Sequence, residues 1–184
     1  VLNIVCLPSE PGLPHQRNIG VEFVLSDSEC SACDIFAFLD DDVEVRPDYF
    51  GELVECFNAD QELICIGAHD DALDVCGPTP HILRITRVSS HKSGVLLPSG
   101  FATLPGASST FTLSEWVPGF AVSFRKQVFR DHRFDGQIAF YGEDLEFQTR
   151  VAHLGRIGTS NRLRVVHNQS QISRDSVRDH WAYS

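Results

Sequence analysis

Asp34-Ile-Phe-Ala-Phe-Leu-Asp-Asp-Asp42 joins a run of five apolar residues to three carboxylates. A short, bulky and partly aromatic run is typical of a strand buried on both faces, as in the parallel sheets of α/β proteins. In open α/β sheets, ligands bind just beyond the carboxyl ends of the strands. Three carboxylates there repel each other unless a cation lies among them, and carboxylate oxygens suit Mg²⁺ or Mn²⁺. The alternative is a strand that runs into a solvated acidic turn.

Length and charge narrow the classes of protein that the chain can represent. Its 184 residues are enough for one domain with a substantial core. Lys plus Arg number 15 and Asp plus Glu 25, so the net charge is −10, which argues against binding to nucleic acid or anionic membranes. The longest uncharged segment, 93–114, is interrupted by Pro and Gly, and we therefore expect no transmembrane segment.

The cysteines favour a reduced protein. Cys30 and Cys33 have the spacing of a metal or redox pair, but a zinc ribbon needs a second such pair and the sequence has none. Cys6, Cys56 and Cys65 lie in apolar runs and are predicted to be buried thiols. We expect a cytoplasmic protein, and peripheral association with the inner face of a membrane stays open.

The remaining patterns predict alternating strands and helices. The segment 89–114 is long and poorly patterned, which is typical of a functional loop. We expect strands over 1–7, 63–68, 82–88, 116–124 and 163–166, and helices over 15–25, from Pro47 onward, over 125–129 and from Gly142 to Gly155.

Four polar residues lie where these elements begin or end. Arg17 falls in the first turn of a helix, where a cation opposes the helix dipole, so it is either placed for an anion or an ordinary surface arginine. Glu143 and Asp144 open a helix, where simple capping is the alternative to a chemical role. His167 follows the last predicted strand and is either a ligand or an ordinary strand-end histidine.

The chain carries four motifs, in the order Gly12-Leu-Pro-His-Gln-Arg-Asn-Ile-Gly20, Phe38-Leu-Asp-Asp-Asp42, Gly142-Glu-Asp144 and Val165-Val-His167. Together these motifs resemble the family 2 glycosyltransferases of the GT-A fold. The resemblance covers about residues 2–170 and implies one α/β, Rossmann-like domain over 1–170, with a mixed, mostly parallel sheet flanked by helices and a peripheral tail over 171–184. The family opens with a strand, a helix and a second strand, and this chain begins after them, so we expect a domain truncated at its N-terminus.

The resemblance also implies roles for individual residues. The acidic triplet looks like the family's DxD motif, whose aspartates face the nucleotide sugar while the last one holds Mn²⁺ or Mg²⁺. In this family the helix that begins at the Gly142 motif carries the catalytic base, and an aromatic segment borders the acceptor. On this basis the nucleotide-sugar residues are Arg17, Asp40, Asp41 and Asp42, the metal ligands Asp42 and His167, the catalytic residues Asp144 with Glu143 beside it, and the acceptor-binding residues Trp116, Gly119 and Phe120.

The implied reaction is transfer of a sugar, with inversion, from a nucleoside diphosphate (UDP, dTDP or GDP) to a hydroxyl of a glycan, lipid or small molecule. A metal would neutralise the leaving diphosphate, and Asp144 would take the proton of the hydroxyl. An alternative is a catalytically inactive, transferase-like module that binds a sugar or a partner. A nucleotidyltransferase is a third reading, but the chain lacks the Gly-rich phosphate loop that such enzymes usually carry near their start.

Overall fold

The computed structural model describes residues 4–71, 92–100, 102–106, 110–138 and 142–168. The predicted strand at 82–88 and the tail at 171–184 lie outside these residues, as does part of the predicted loop over 89–114. No helix in the described ranges combines the length and apolar character needed to cross a lipid bilayer.

Three α-helices and six strands form the described part of the chain. Short 3₁₀ turns at Ser28–Cys30, Lys126–Arg130 and Ala152–Leu154 join some of them. The helices are α1 (Leu13–Ser26), α2 (Tyr49–Ala59) and α3 (Glu143–Val151). The strands are β1 (Ile35–Leu39), β2 (Val43–Val45), β3 (Leu63–Asp70), β4 (Thr112–Leu113), β5 (Ala121–Arg125) and β6 (Arg156–His167).

The strands form one mixed sheet in the order β1-β5-β3-β6-β2, with β4 paired to β6. The predicted α/β class and mixed sheet are confirmed, but the expectation of a mostly parallel sheet is wrong. Among the described strands only β3 and β6 pair in parallel, and the other pairs are antiparallel. The reason is that β5 runs in reverse between β1 and β3. As a result β1, β3 and β6 still point the same way, and their carboxyl ends share one edge of the sheet.

Strand β1 is less buried than its apolar sequence predicts. Phe36 is buried and Phe38 half-buried, whereas Ala37 and Leu39 are exposed. Within the described ranges β1 pairs only with β5, so its other edge has no strand beside it. The strand buried along its whole length is β3, from Leu63 to Asp70. Apolar composition alone did not distinguish the edge strand from the central one.

Two hydrophobic clusters cover the two faces of the sheet. One lies beneath α1 and α3 and is rich in phenylalanine, and the other lies beneath α2. Helix α2 buries Tyr49, Leu53 and Phe57, while Phe50 and Val54 remain exposed. The first cluster includes Phe36, Phe124, Phe129, Phe134 and Phe147, and the second Leu63, Ile66, Leu163 and Val165.

The beginning of the described chain differs from the prediction. Residues 4–10 form no strand, and Ile4 is 85% exposed. Cys6 is exposed and Cys56 half-buried, so of the three predicted buried thiols only Cys65 is fully enclosed. Helix α1 then begins after Gly12, whose φ of 134° favours glycine, and carries proline in its first turn.

Candidate active site

The acidic turn after β1 is fixed by the two strands beside it. The Asp40 amide donates to the Phe120 carbonyl at 2.9 Å, just before β5, and the Asn168 amide donates to the Asp42 carbonyl at 2.9 Å, just after β6. Strand β2 pairs with β6 so that Val43 lies opposite His167. This pairing brings the acidic turn and the end of β6 together, although Asp42 and His167 are 125 positions apart in sequence.

Asp40, Asp42 and His167 form a cluster suited to a cation. One ligand atom from each lies within 4.8 Å of the others, and His167 Nε2 is 3.1 Å from Asp42 Oδ1. Carboxylate oxygens with one imidazole nitrogen fit Mn²⁺ well and Mg²⁺ less well. Asp41 is exposed and does not belong to the cluster. The resemblance assigned Asp40 to the nucleotide sugar and only Asp42 and His167 to the metal, because a turn that presents alternate residues to one side is visible only in the structure.

Electrostatics around Asp40 favour a nearby positive charge. Burial raises the pKa of the Asp40 carboxyl, and the negative charges of Asp42 and Asp41 add to this, while Arg17 and His167 oppose it. Holding the carboxylates ionised together is therefore costly unless cations lie close to them. Arg17 supplies one such charge, with Nη2 3.8 Å from Asp40 Oδ1.

Arg17 joins α1 to the other side of the site. It is 7% exposed, and it donates from Nη1 to Glu143 Oε1 at 3.1 Å and from Nη2 to the Gly119 carbonyl at 3.0 Å. Its guanidinium lies 5.3 Å from the centre of the Phe134 ring. These contacts give Arg17 an organising role that the sequence analysis did not foresee. Direct binding of Arg17 to a nucleotide stays a prediction.

Glu143 and Asp144 occupy the first turn of α3. Gly142 precedes them with a φ of 99°, a left-handed conformation that glycine adopts without strain. Glu143 is 8% exposed, and burial, together with the neighbouring charge of Asp144, raises the pKa of its carboxyl. Asp144 accepts from the Gly119 amide through Oδ2 at 2.7 Å and from the Leu145 amide through Oδ1 at 2.8 Å.

The segment Trp116–Phe120 connects the cation cluster to α3. The Phe120 ring lies 4.7 Å from the His167 ring, centre to centre, while Gly119 contacts Asp144. A Cβ on Gly119 would lie 3.0 Å from the Asp144 side chain, so a larger residue there would crowd Asp144. Trp116 is half-buried and donates from Nε1 to the Thr103 carbonyl at 3.0 Å.

The sequence analysis also missed Gln148 on α3. Its side chain is fully buried and hydrogen bonds to both the amide and the carbonyl of Val117. The sequence signal for it was a polar residue between Phe147 and Val151 on the buried side of a helix, four residues after Asp144.

Residues 3–132 match the sequence profile described as Glycosyl transferase family 2. The chain belongs to this family. The match contains the acidic turn and the segment Trp116–Phe120, while α3 and His167 lie beyond its end. A search of curated proteins gave no match.

Solved structures share the fold of this family 2 chain. GalNAc-T7, whose crystal structure contains UDP, GalNAc and Mn²⁺, aligns with a TM-score of 0.51 and 14% identity over 85% of this chain. The chain spans 30% of the length of GalNAc-T7. The protein A197 from STIV aligns with a TM-score of 0.52 and 15% identity, covering 91% of this chain and 81% of its own. At these identities the likeness shows the GT-A-like fold.

Proposed function

We propose that this chain carries the catalytic centre of an inverting, metal-dependent glycosyltransferase. The observation that carries the proposal is the arrangement at Gly119 and Phe120: the Phe120 ring packs against His167 of the cation cluster, and the Gly119 amide donates to the Asp144 carboxylate. Membership of glycosyl transferase family 2 supports the reaction class. The donor is a nucleoside-diphosphate sugar, and the acceptor is a hydroxyl of a glycan, lipid or small molecule.

The donor side is formed by the acidic turn and the end of β6. Asp40, Asp42 and His167 would hold Mn²⁺ or Mg²⁺, and Asp41, exposed beside them, is assigned to the nucleotide. Such an ion, when bound, supplies positive charge that stabilises the leaving diphosphate. The presence of UDP and Mn²⁺ in the GalNAc-T7 crystals supports this pairing of nucleotide and cation.

Asp144 is assigned as the general base on the acceptor side. As the acceptor hydroxyl attacks the anomeric carbon, its proton passes to a carboxylate oxygen of Asp144. One bond forms to the acceptor oxygen while the bond to the diphosphate oxygen breaks, so a single displacement inverts the configuration at that carbon. The Gly119 amide holds the carboxylate in a fixed orientation. Glu143, paired with Arg17, stands beside the base.

The acceptor is assigned to the aromatic surface of the segment. Trp116 and Phe120 are both half-buried, and flat rings of this kind pack against the apolar face of a sugar. Phe120 also contacts His167, so the acceptor surface adjoins the donor site. Holding the two substrates in line is itself worth several kcal/mol of the barrier.

One observation favours a second candidate function. Both oxygens of Asp144 accept backbone hydrogen bonds, as a purely structural cap would. In that case the chain is a catalytically inactive, transferase-like module that binds a sugar or a partner. A carboxylate has about four acceptor positions, so Asp144 retains capacity for a hydroxyl proton. Turnover distinguishes the two candidates.

A thermal-shift panel of UDP, GDP and dTDP, each with and without Mn²⁺, tests the donor site. We expect one nucleotide to raise the Tm only when Mn²⁺ is present, because the acidic cluster repels a diphosphate alone. At a nucleotide concentration of about one hundred times Kd, binding stabilises the folded protein by about 2.7 kcal/mol. Asp42→Ala should abolish the rise in Tm that nucleotide and Mn²⁺ produce together. Glu55→Ala, which removes an exposed charge on α2, should retain it. A shift independent of Mn²⁺, or one kept by Asp42→Ala, would contradict the proposal.

A further inference from the structure

The Gln148 side chain hydrogen bonds to both backbone groups of Val117, a residue of the segment Trp116–Phe120. Its Oε1 accepts from the Val117 amide at 2.7 Å, and its Nε2 donates to the Val117 carbonyl at 2.7 Å. The Cys65 thiol lies 3.8 Å from the same Oε1, and burial raises the pKa of this thiol, so it stays a protonated donor. The amide thus pairs with the backbone as a neighbouring strand would.

Packing alone does not account for an amide at this position. Gln148 and Val117 are both 0% exposed, and an apolar side chain would fill the same space without desolvating polar atoms. Val117 lies between β4 and β5 and therefore outside the strand pairing of the sheet. Its buried amide and carbonyl need partners, and Gln148 supplies both.

Gln148 and Asp144 act on the same segment from successive turns of α3. Residues four apart lie on one face of a helix. Asp144 hydrogen bonds to the Gly119 backbone and Gln148 to the Val117 backbone, so α3 binds the segment at two residues that are two positions apart. The segment is also confined from the sheet side, because a Cβ on Gly67 would lie 2.5 Å from Val117 Cβ.

The position of this segment sets the geometry of the site. Its Gly119 orients Asp144 and accepts from Arg17, and its Phe120 ring packs against His167. A shift of Val117 therefore moves the acceptor surface relative to both the base and the cation cluster. Misplacement by about 1 Å far from the reacting atoms costs on the order of 100-fold in rate.

We propose that Gln148 is a positioning residue for glycosyl transfer, which locks the acceptor segment Trp116–Phe120 to the helix that carries Asp144. It contacts neither substrate and acts through the Val117 backbone. This inference rests on the proposed function, since it assigns Gln148 a part in that same reaction.

The first variant to make is Gln148→Met, which keeps the volume of the side chain and removes the amide. The assay uses whichever of UDP-, GDP- or dTDP-glucose the wild-type chain turns over fastest with Mn²⁺. We expect kcat to fall about 10- to 100-fold while KM for the donor changes less than about threefold, because the cation cluster is untouched. Thr149→Ala, at the next and exposed position of α3, is the matched control and should stay within about twofold.

A second variant, Gln148→Glu, separates hydrogen bonding from packing. Its carboxylate accepts from the Val117 amide but cannot donate to the carbonyl, whereas the protonated acid does both. Asp144, one turn away, and Cys65, in contact, are the titratable groups facing this position, and the negative charge of Asp144 favours the protonated acid. We expect the kcat of Gln148→Glu, as a fraction of wild type, to rise as pH falls, and that of Gln148→Met to stay constant.

Hydrogen exchange tests the anchoring without an activity assay. Gln148→Met should speed the exchange of amides in 116–120 at least about tenfold and leave those of the β3 core unchanged. Unchanged exchange, or a kcat equal to that of the control, would overturn the proposal. Faster exchange in a protein whose wild type transfers no sugar would refute the proposed function and reduce Gln148 to a structural anchor. Faster exchange together with the kcat loss would support both.

Discussion

At the scale of single residues, Arg17 determines how the charges of the site balance. It is buried between two carboxylates, donating to Glu143 at 3.1 Å and lying 3.8 Å from Asp40. The pKa of each of these carboxyls is nevertheless raised, chiefly by burial. One arginine therefore does not compensate fully for desolvation of the acids around it.

This imbalance predicts a pH-dependent effect of Glu143→Gln on stability. Because folding raises the pKa of Glu143, the ionised carboxylate destabilises the fold relative to the protonated acid. That penalty is absent below the ordinary pKa and complete above the raised one. Glutamine mimics the protonated acid, so we expect a higher Tm than wild type at about pH 8 and an equal Tm near about pH 4.

The measurement is a series of melting curves from low to high pH without metal or nucleotide. Glu55→Gln, which removes an exposed carboxylate from α2, is the control and should show no gain that grows with pH. A Tm difference that is constant with pH, or a Glu143→Gln protein less stable than wild type at high pH, would show that the pairing with Arg17 outweighs the cost of burial.

Sequence alone predicted which residues carry charge at the site, but not how they are paired. Asp42, His167 and Glu143 stood out because each lies at the end of a predicted element. The inclusion of Asp40 in the cation cluster and the burial of Gln148 depend on turn and helix geometry in three dimensions. Whether these residues have the chemical roles implied by the resemblance stays a prediction.

At the scale of elements, Arg125 caps helix α2 from the end of β5. Its Nη2 donates to the Phe57 carbonyl at 2.6 Å and to the Asp60 carbonyl at 2.9 Å, and its Nε donates to the Leu63 carbonyl at 2.7 Å. Carbonyls at a helix C-terminus have no partner within the helix, and a cation there also favours the helix dipole. Arg125 thus joins the helix, the following turn and the first residue of β3.

We expect Arg125→Met to lower the free energy of unfolding by about 3 kcal/mol, because charge-assisted hydrogen bonds are lost and carbonyls are left unpaired. Urea denaturation measures this, with the slope against urea unchanged. Arg130→Met, at an exposed position a few residues later, should leave the midpoint within error. Equal midpoints for the two variants would show that water replaces Arg125 as the cap.

The sequence predicted long elements better than short or irregular ones. The helix expected over 15–25 is observed at Leu13–Ser26, and the strand expected over 63–68 at Leu63–Asp70. Strand β2 was missed because three residues with a central glutamate form a strand only through pairing with β6. The strand expected over 163–166 is β6, Arg156–His167, whose first half is rich in small and polar residues that carry no apolar pattern.

At the scale of the whole molecule, the direction of the strands assembles the site. Because β1, β3 and β6 run the same way, the acidic turn, Asp70 and His167 meet at one edge of the sheet. The segment Trp116–Phe120 enters β5 from that same edge. The resemblance stated from the motifs and the family 2 match agree on this fold, whereas the parallel character of the sheet was overestimated because β5 reverses.

The net charge of the chain connects the fold to the proposed reaction. A molecule with a net charge of −10 and an acidic turn at its site repels a nucleoside diphosphate. We therefore expect binding of such a donor to depend on local positive charge at the site, from a metal ion or from arginines.

The most direct test is release of nucleotide from UDP-, GDP- and dTDP-glucose with Mn²⁺, measured for wild type and Asp144→Asn. We predict nucleoside diphosphate from the wild-type chain and a loss of at least about 100-fold in Asp144→Asn, with its Mn²⁺-dependent nucleotide binding unchanged. Equal rates for the two proteins, or release of nucleoside monophosphate, would contradict the assignment of this chain as a glycosyltransferase with Asp144 as its base.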